Sequence, residues 1–456
     1  MTPHRNPELP ESFWNVDTLI LDMDGVVTSE ESYFDAAGLT IREVLESPLY
    51  LGLSPPNYTS IPEVYYRQMA ASSRMEWRKY LPTDLIIRCK SRGISTNWDL
   101  AYLVAGLYMA PLFVESLTTI SEPKGGEEST DEPMEWERAE GFEIPPKRRF
   151  MEKEIRESLG VLAEGYRRII RRKDWPTLLR VSDFAEWGRF FRSRGIEIAP
   201  QKGIELKLFD DFHPQTRGLD LLDKIPESVP GYSKEFAGLF GRDTLLWNDL
   251  QNLFQEWYLG EDLYAKQTGK SVNAWPKPGL IHQEEPLLPE DRTRSALSSL
   301  RDSGFTLGIA TGRPRLEILS PLQRWGFDRF FDSERIATHN EIEKAQRTLR
   351  AGRITESLSK PHPYVFLRAI HPHLPPIVLY SEKYDASVHT RFAVIGDSVA
   401  DIWAGKRIGC PTVAVLSGAA GMLGRRNLEE AGADYIVENL EHLAAAFTKR
   451  RMKDEG

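Results

Sequence analysis

The sequence predicts an α/β protein, a doubly wound parallel sheet carrying a large, mainly α-helical cap domain. Three observations point there. Short apolar runs at residues 18–21, 306–310, 392–395 and 412–416 each break off into a polar turn, the profile of a buried parallel strand. Helical patterns alternate with these runs, at 291–301 before the second and 400–408 after the third, and such alternation builds a sheet with helices on both faces. The stretch between the first two runs is instead long, rich in aromatic residues and helically spaced.

The first run feeds Asp22-Met23-Asp24-Gly25, the second Thr311-Gly312-Arg313-Pro314, the third Gly396-Asp397-Ser398 and the fourth Ser417-Gly418. Ligands of open α/β sheets bind beyond the carboxyl ends of the strands, so these turns, distant in sequence, are expected to be neighbours. The core is assigned to residues 12–29 and 286–448, and the inserted helical cap to 30–285. Near the end of the insert Leu246, Leu250, Phe254, Trp257 and Tyr258 recur at helical spacing and read as core packing. Residues 121–133 are charged, bear Gly and Pro and lack large apolar side chains, and a mobile loop is expected over 121–148.

Composition excludes more than it identifies. A chain of 456 residues suits two domains, and 41% hydrophobic with 27% charged residues is the balance of a globular protein. A net charge of −9 argues against nucleic-acid binding, and the basic run Arg167, Arg168, Arg171, Arg172, Lys173 reads as the solvated face of a helix. Cys89 and Cys410 offer neither a disulfide framework nor a thiol metal site. The first residues lack the pattern of a signal peptide, and no window approaches the roughly 18 apolar residues that span a bilayer. A cytoplasmic protein without membrane association is expected, and nothing in the sequence specifies an oligomeric state.

The chemistry sits in the turns. Side chains alternate along an extended segment, so Asp22 and Asp24 share one side while Met23 points into the fold. A calcium loop is excluded, since Val26-Val27 supplies no oxygen ligands where one would need them. Thr311-Gly312 suits either a phosphate at a helix N-terminus or an ordinary capped helix start. Asp397 and Asp401, four apart, face the same way if a helix begins near Ser398. Four carboxylates in one crevice would repel a phosphate without a cation, and magnesium, which takes oxygen ligands and keeps substrate phosphate in its shell, is the natural solution. Lys360, flanked by Pro361 and Pro363, lies between the second and third of these motifs.

In order, Asp22-Met23-Asp24-Gly25-Val26, Thr311-Gly312-Arg313, Lys360-Pro361 and Gly396-Asp397-Ser398-Val399-Ala400-Asp401 resemble the four motifs of the haloacid dehalogenase (HAD) superfamily. The resemblance is to phosphatases with a helical cap between the first two motifs, near phosphoglycolate phosphatases and β-phosphoglucomutases. It implies a magnesium-dependent phosphatase acting on a small phosphorylated metabolite. Asp22 would be the nucleophile forming an aspartyl-phosphate, and Asp24 the acid and base. Thr311 and Lys360 would hold phosphoryl oxygens, with Gly25, Gly312 and Arg313 counted among the phosphate- or substrate-binding positions. Magnesium would be bound by Asp22, the Asp24 carbonyl and Asp397, with Asp401 supporting metal or lysine. A sugar phosphomutase would use the same aspartyl-phosphate, and a non-catalytic partner-binding protein is the rival from another class. The sequence names neither substrate nor pathway.

The cap is about twice the size usual for this resemblance, and extra residues lie around 341–359 and 371–389. His371-Pro372-His373 there reads as a proline-bearing surface loop rather than a metal pair. Within the cap, the segment from Arg88 to Asp99 joins basic residues to a Gly turn and a helix start. Arg92 and Asn97 are its candidates for reading the substrate beyond the phosphate. Capping of the helix by Ser95, Thr96 or Asn97 explains the same polar residues equally well.

Overall fold

The structure is a computed structural model that describes residues 9–47, 50–52, 78, 80–94, 96–121, 216, 218–228, 240–242, 244–272, 277–354, 356–419 and 421–454. The basic run at 167–173 and residues 122–148 of the expected loop lie outside the described residues. In chain order the elements are β1 (Thr18–Leu21), α1 (Glu31–Glu46), α2 (Thr83–Ser91), α3 (Asn97–Ser121), α4 (Leu245–Thr268), α5 (Glu290–Asp302), β2 (Thr306–Ala310), α6 (Arg315–Trp325), β3 (Ile336–Ala337), α7 (His339–Ala351), α8 (Tyr364–Ile370), α9 (Pro376–Tyr380), β4 (Phe392–Gly396), α10 (Val399–Arg407), β5 (Thr412–Val415), α11 (Arg425–Glu430), β6 (Tyr435–Val437) and α12 (Leu440–Asp454).

All six strands run parallel in the order β3-β2-β1-β4-β5-β6. The four expected apolar runs are strands, and β3 and β6 extend the sheet at its two edges. Those two strands span two and three residues, too few to show a period. Strand order reverses at β1, so the switch point of the sheet lies between β1 and β4, above Asp22 and Asp397.

Side chains of β1 divide between the faces with period two. Leu19 and Leu21 join a cluster with Leu297 and Leu300 of α5 and Leu443 and Phe447 of α12. Ile20 points the other way, into a cluster with Ile342 of α7 and Phe366 and Ile370 of α8. A four-residue strand buried along its whole length, TLIL, therefore has helices on both sides, as a doubly wound sheet requires.

Of the helices between β1 and β2, α1 to α4 close around a separate core. Leu250, Phe254, Trp257 and Tyr258 of α4 are buried there with Phe34 and Leu39 of α1 and Tyr102 of α3, so the aromatic spacing is indeed packing. Tyr33 stacks on Tyr258 with ring centroids 4.0 Å apart. Lys277 is sealed into this core, 2.7 Å from Glu256 and 3.4 Å from Glu43. Truncating a fully buried aromatic such as Trp257 in such a core costs about 3–5 kcal/mol.

The two connections between sheet and insert run side by side. The Ser29 amide donates to the Glu285 carbonyl and the Leu287 amide to the Val27 carbonyl, both at 3.0 Å, around a bridge between Thr28 and Pro286. Among the described residues no helix is long and apolar enough to cross a membrane.

Candidate active site

Asp22 is the first residue past β1, and its amide still donates to the Ile395 carbonyl of β4 at 2.8 Å. The chain then folds over Met23, whose carbonyl accepts from the amides of Val27 and Thr28, both at 2.9 Å. Met23 is buried, as the alternation predicts. Gly25 takes φ +72°, and a Cβ there would sit 2.2 Å from Asp397 Oδ2. At Gly418, after β5, a Cβ would be 1.7 Å from the same oxygen. Only glycine lets these two turns close on the Asp397 carboxylate.

Lys360 comes from the loop before α8 and is 4% exposed. Its Nζ lies 2.9 Å from Asp22 Oδ1 and 2.7 Å from Asp401 Oδ1. Asp401 belongs to a capping box on α10: its Oδ2 accepts from the Ser398 hydroxyl at 2.6 Å and the Ser398 amide at 3.2 Å. Both Asp401 oxygens are therefore engaged, one by the helix start and one by the lysine. Burial opposes the charge of Lys360, but Asp22 and Asp401 outweigh it and hold the ammonium above the ordinary lysine range.

Asp22, Asp397 and Asp401 bring carboxylate oxygens within 4.8 Å of one another. Burial pushes the Asp22 carboxyl up to about 7, against the pull of Lys360. Burial likewise raises Asp397 well above the carboxylate range, with Glu30 and Asp401 adding to it. Hard oxygen donors crowded in this way fit a magnesium-sized dication, which would hold them ionised.

The second motif is tied to the first through Arg313. Arg313 reaches the cleft, but its guanidinium grips protein acids: Nε donates to Asp24 Oδ2 at 3.0 Å, Nη2 to Asp24 Oδ1, and Nη1 to Glu284. The Tyr33 ring lies beneath it at 4.2 Å. The Thr28 hydroxyl also donates to Asp24 Oδ1, at 3.1 Å. Pro314 stands at the N-cap of α6 with ψ 147°. Thr311 is buried, its hydroxyl accepting from the Arg313 amide at 3.2 Å, while Gly312 lines the cleft.

The cap supplies Glu30, Tyr33, Lys90, Asn97 and Trp98 to the cleft. Arg92, expected to read substrate, is turned away: α2 ends at Ser91, and the Arg92 guanidinium donates to the Thr216 carbonyl at 3.0 and 3.1 Å. Lys90, two residues earlier, lines the cleft instead, 2.5 Å from Glu30. Burial opposes the Lys90 charge, but Glu30 raises its pKa above the ordinary value. Sequence reasoning missed Lys90 and Glu30, although three basic residues at 88–92 and an acid six positions after Asp24 were visible. His371 and His373 do not form a pair: His371 Nε2 meets His389 Nε2 at 2.9 Å, and His373 lies out beside Glu334.

The family model described as "HAD-hyrolase-like" matches residues 357–443, the segment holding Lys360, Asp397 and Asp401. A structural-genomics target solved by X-ray crystallography resembles the whole chain, with a TM-score of 0.58, 24% identity and coverage of 95% of this chain and 98% of that one. Residues 357–443 thus resemble haloacid dehalogenase-like hydrolases. Weaker likeness is found to a HAD phosphatase from Thermococcus onnurineus (19% identity, TM-score 0.28, 56% of this chain and 83% of that one). A hydrolase from Pseudomonas syringae is similar at 19% identity and TM-score 0.29, over 45% of this chain and 72% of that one. Comparison with curated proteins returned no match.

Proposed function

We propose that this haloacid dehalogenase-like protein hydrolyses a phosphate monoester of a small metabolite through an aspartyl-phosphate. The observation that carries the reading is the lysine-bridged acid set at the switch point: Asp22, held 2.9 Å from Lys360, with Asp397 and Asp401 beside it. A fold has no structural need to bury three carboxylates around one lysine, and clustered, perturbed acids in a cleft mark function.

In this reading an Asp22 carboxylate oxygen attacks phosphorus in line while the ester oxygen leaves, dividing one hard displacement into two. Asp24 delivers a proton to the leaving oxygen and then takes one from the water that cleaves the acyl phosphate. Arg313 and Thr28 orient the Asp24 carboxylate for that exchange. Lys360 offsets negative charge on the phosphoryl oxygens, and Asp401 holds Lys360 in place. Magnesium, held by Asp22, the Asp24 carbonyl and Asp397, would supply further neutralisation of the phosphoryl group. Two buried free thiols, Cys89 and Cys410, support a reducing, cytoplasmic setting.

The test is phosphate release from a panel of phosphorylated metabolites with magnesium. Asp22→Asn should lose at least about three decades of turnover, roughly 4 kcal/mol in the barrier, while keeping its fold. EDTA should silence the native protein and magnesium restore it, with calcium a poor substitute because it prefers a larger, looser shell. Phosphoryl trapped on a residue other than Asp22, or full turnover in demonstrably metal-free protein, would refute the proposal. Phosphate passed back to sugar instead of water would mark a phosphomutase.

A further inference from the structure

A residue on the cap side of the cleft carries an acceptor that nothing among the described residues satisfies. Asn97, at the start of α3, is 4% exposed and lines the cleft. Its Nδ2 faces Glu30 Oε1 at 3.4 Å, while its Oδ1 is buried without a hydrogen-bond partner among the described residues. Glu30 decides which way the amide points, since the opposite orientation would set the amide oxygen against a carboxylate. A buried oxygen left in this state calls for a donor from outside the chain.

The charges around it limit what that donor can belong to. Each cation on the cleft wall already has its acid: Lys90 with Glu30, Arg313 with Asp24 and Glu284, Lys360 with Asp22 and Asp401. Arg92, the residue that would have met a second anion, bonds the Thr216 carbonyl instead. A carboxylate or second phosphate at this end would thus lie against Glu30 with no cation of its own. An ammonium would compete with Lys90 for that same Glu30. A hydroxyl suffers neither conflict, because it donates to Asn97 Oδ1 and carries no charge.

Resting on the phosphohydrolase reading, we infer that the substrate is the phosphate monoester of a neutral, hydroxyl-bearing alcohol, and that Asn97 is a specificity-determining residue accepting a hydrogen bond from one of its hydroxyls.

The full-length protein with magnesium tests this on four esters: glycerol 3-phosphate, phosphoglycolate, phosphoethanolamine and p-nitrophenyl phosphate. The wild type should favour glycerol 3-phosphate over the anionic and ammonium-bearing esters by about tenfold or more in kcat/KM, the scale for a site built around a substrate hydroxyl. In Asn97→Leu the ratio of kcat/KM for glycerol 3-phosphate over p-nitrophenyl phosphate should fall roughly 10- to 100-fold, chiefly through KM. Both rates come from one preparation, so loss of folded protein cancels in that ratio. Asn97→Asp, which keeps an acceptor but adds a charge, should retain more of the ratio than Asn97→Leu.

Turnover of p-nitrophenyl phosphate by the wild type reports the phosphohydrolase reading independently. With that turnover present, an unchanged ratio in Asn97→Leu, or a wild-type preference for phosphoglycolate or phosphoethanolamine, overturns the inference. Absence of turnover on every ester overturns both.

Discussion

Replacing Lys360 by Met removes the cation that bridges Asp22 and Asp401, at 2.9 and 2.7 Å, and leaves a side chain of similar length. At an effective dielectric of about 20, Coulomb's law gives roughly 6 kcal/mol of gross attraction for each contact. Desolvation of the lysine offsets much of this, and breaking a buried pair by deleting one partner costs about 3–5 kcal/mol net. Against a total stability of about 5–15 kcal/mol that loss is large. Urea unfolding in EDTA at about pH 8 should show it directly. Magnesium at about 100 times its Kd should return up to roughly 2.7 kcal/mol to the variant, because the ion binds the folded acid set and not the unfolded chain. Phosphate release should stay low even then, since the ion cannot stand where the ammonium stood. A Lys360→Met protein as stable as its parent in EDTA would show that the lysine does not hold the acid set together, and the electrostatic reasoning would fail.

Gly418→Ala places a methyl carbon where Asp397 Oδ2 now lies, 1.7 Å away, so Asp397 must move. Metal-dependent turnover should drop at least about 100-fold while circular dichroism stays native, and undiminished turnover would separate Asp397 from the chemistry. Glu317 is buried under Tyr33, and burial pushes its carboxyl up to about 7, against an ordinary 4.5. The folded state therefore holds a proton that the unfolded chain releases near pH 4.5, and stability falls as pH rises from there to about 7. The loss amounts to about 3 kcal/mol across that window. Glu317→Gln should remove this slope in urea titrations at several pH values, and parallel curves for the two proteins would contradict it.

What could be read from the sequence was whatever is local. Asp22, Asp24, Asp397 and Asp401 sit within a few residues of an apolar strand end, so strand pattern and chemistry reinforce one another. The buried TLIL run announces both its strand and its place inside a doubly wound sheet. What escaped depends on partners from distant segments. Arg313 meets Asp24 across 289 positions, and Arg92 finds the Thr216 carbonyl 124 positions later, so neither destination is written near the residue itself. The choice between Arg92 and Lys90 turned on where α2 ends, a boundary that patterns locate only to within a turn. Two-residue β3 lies below the length at which any periodicity exists.

The paired connections at Thr28 and Pro286 change what the insertion means to the sheet. Thr18 lies directly beside Thr306, yet the route between them passes through more than half of the sequence. Because that route departs and returns through two hydrogen-bonded backbones, the strands meet as they would across an ordinary parallel crossover through α5, whatever length is looped out above them. Loop-closure entropy grows only with the logarithm of that length, so enlarging the insert burdens the pairing of β1 with β2 very little. The architecture thus lets the insert be exchanged, lengthened or rebuilt while the strand ends that hold the acids keep their register.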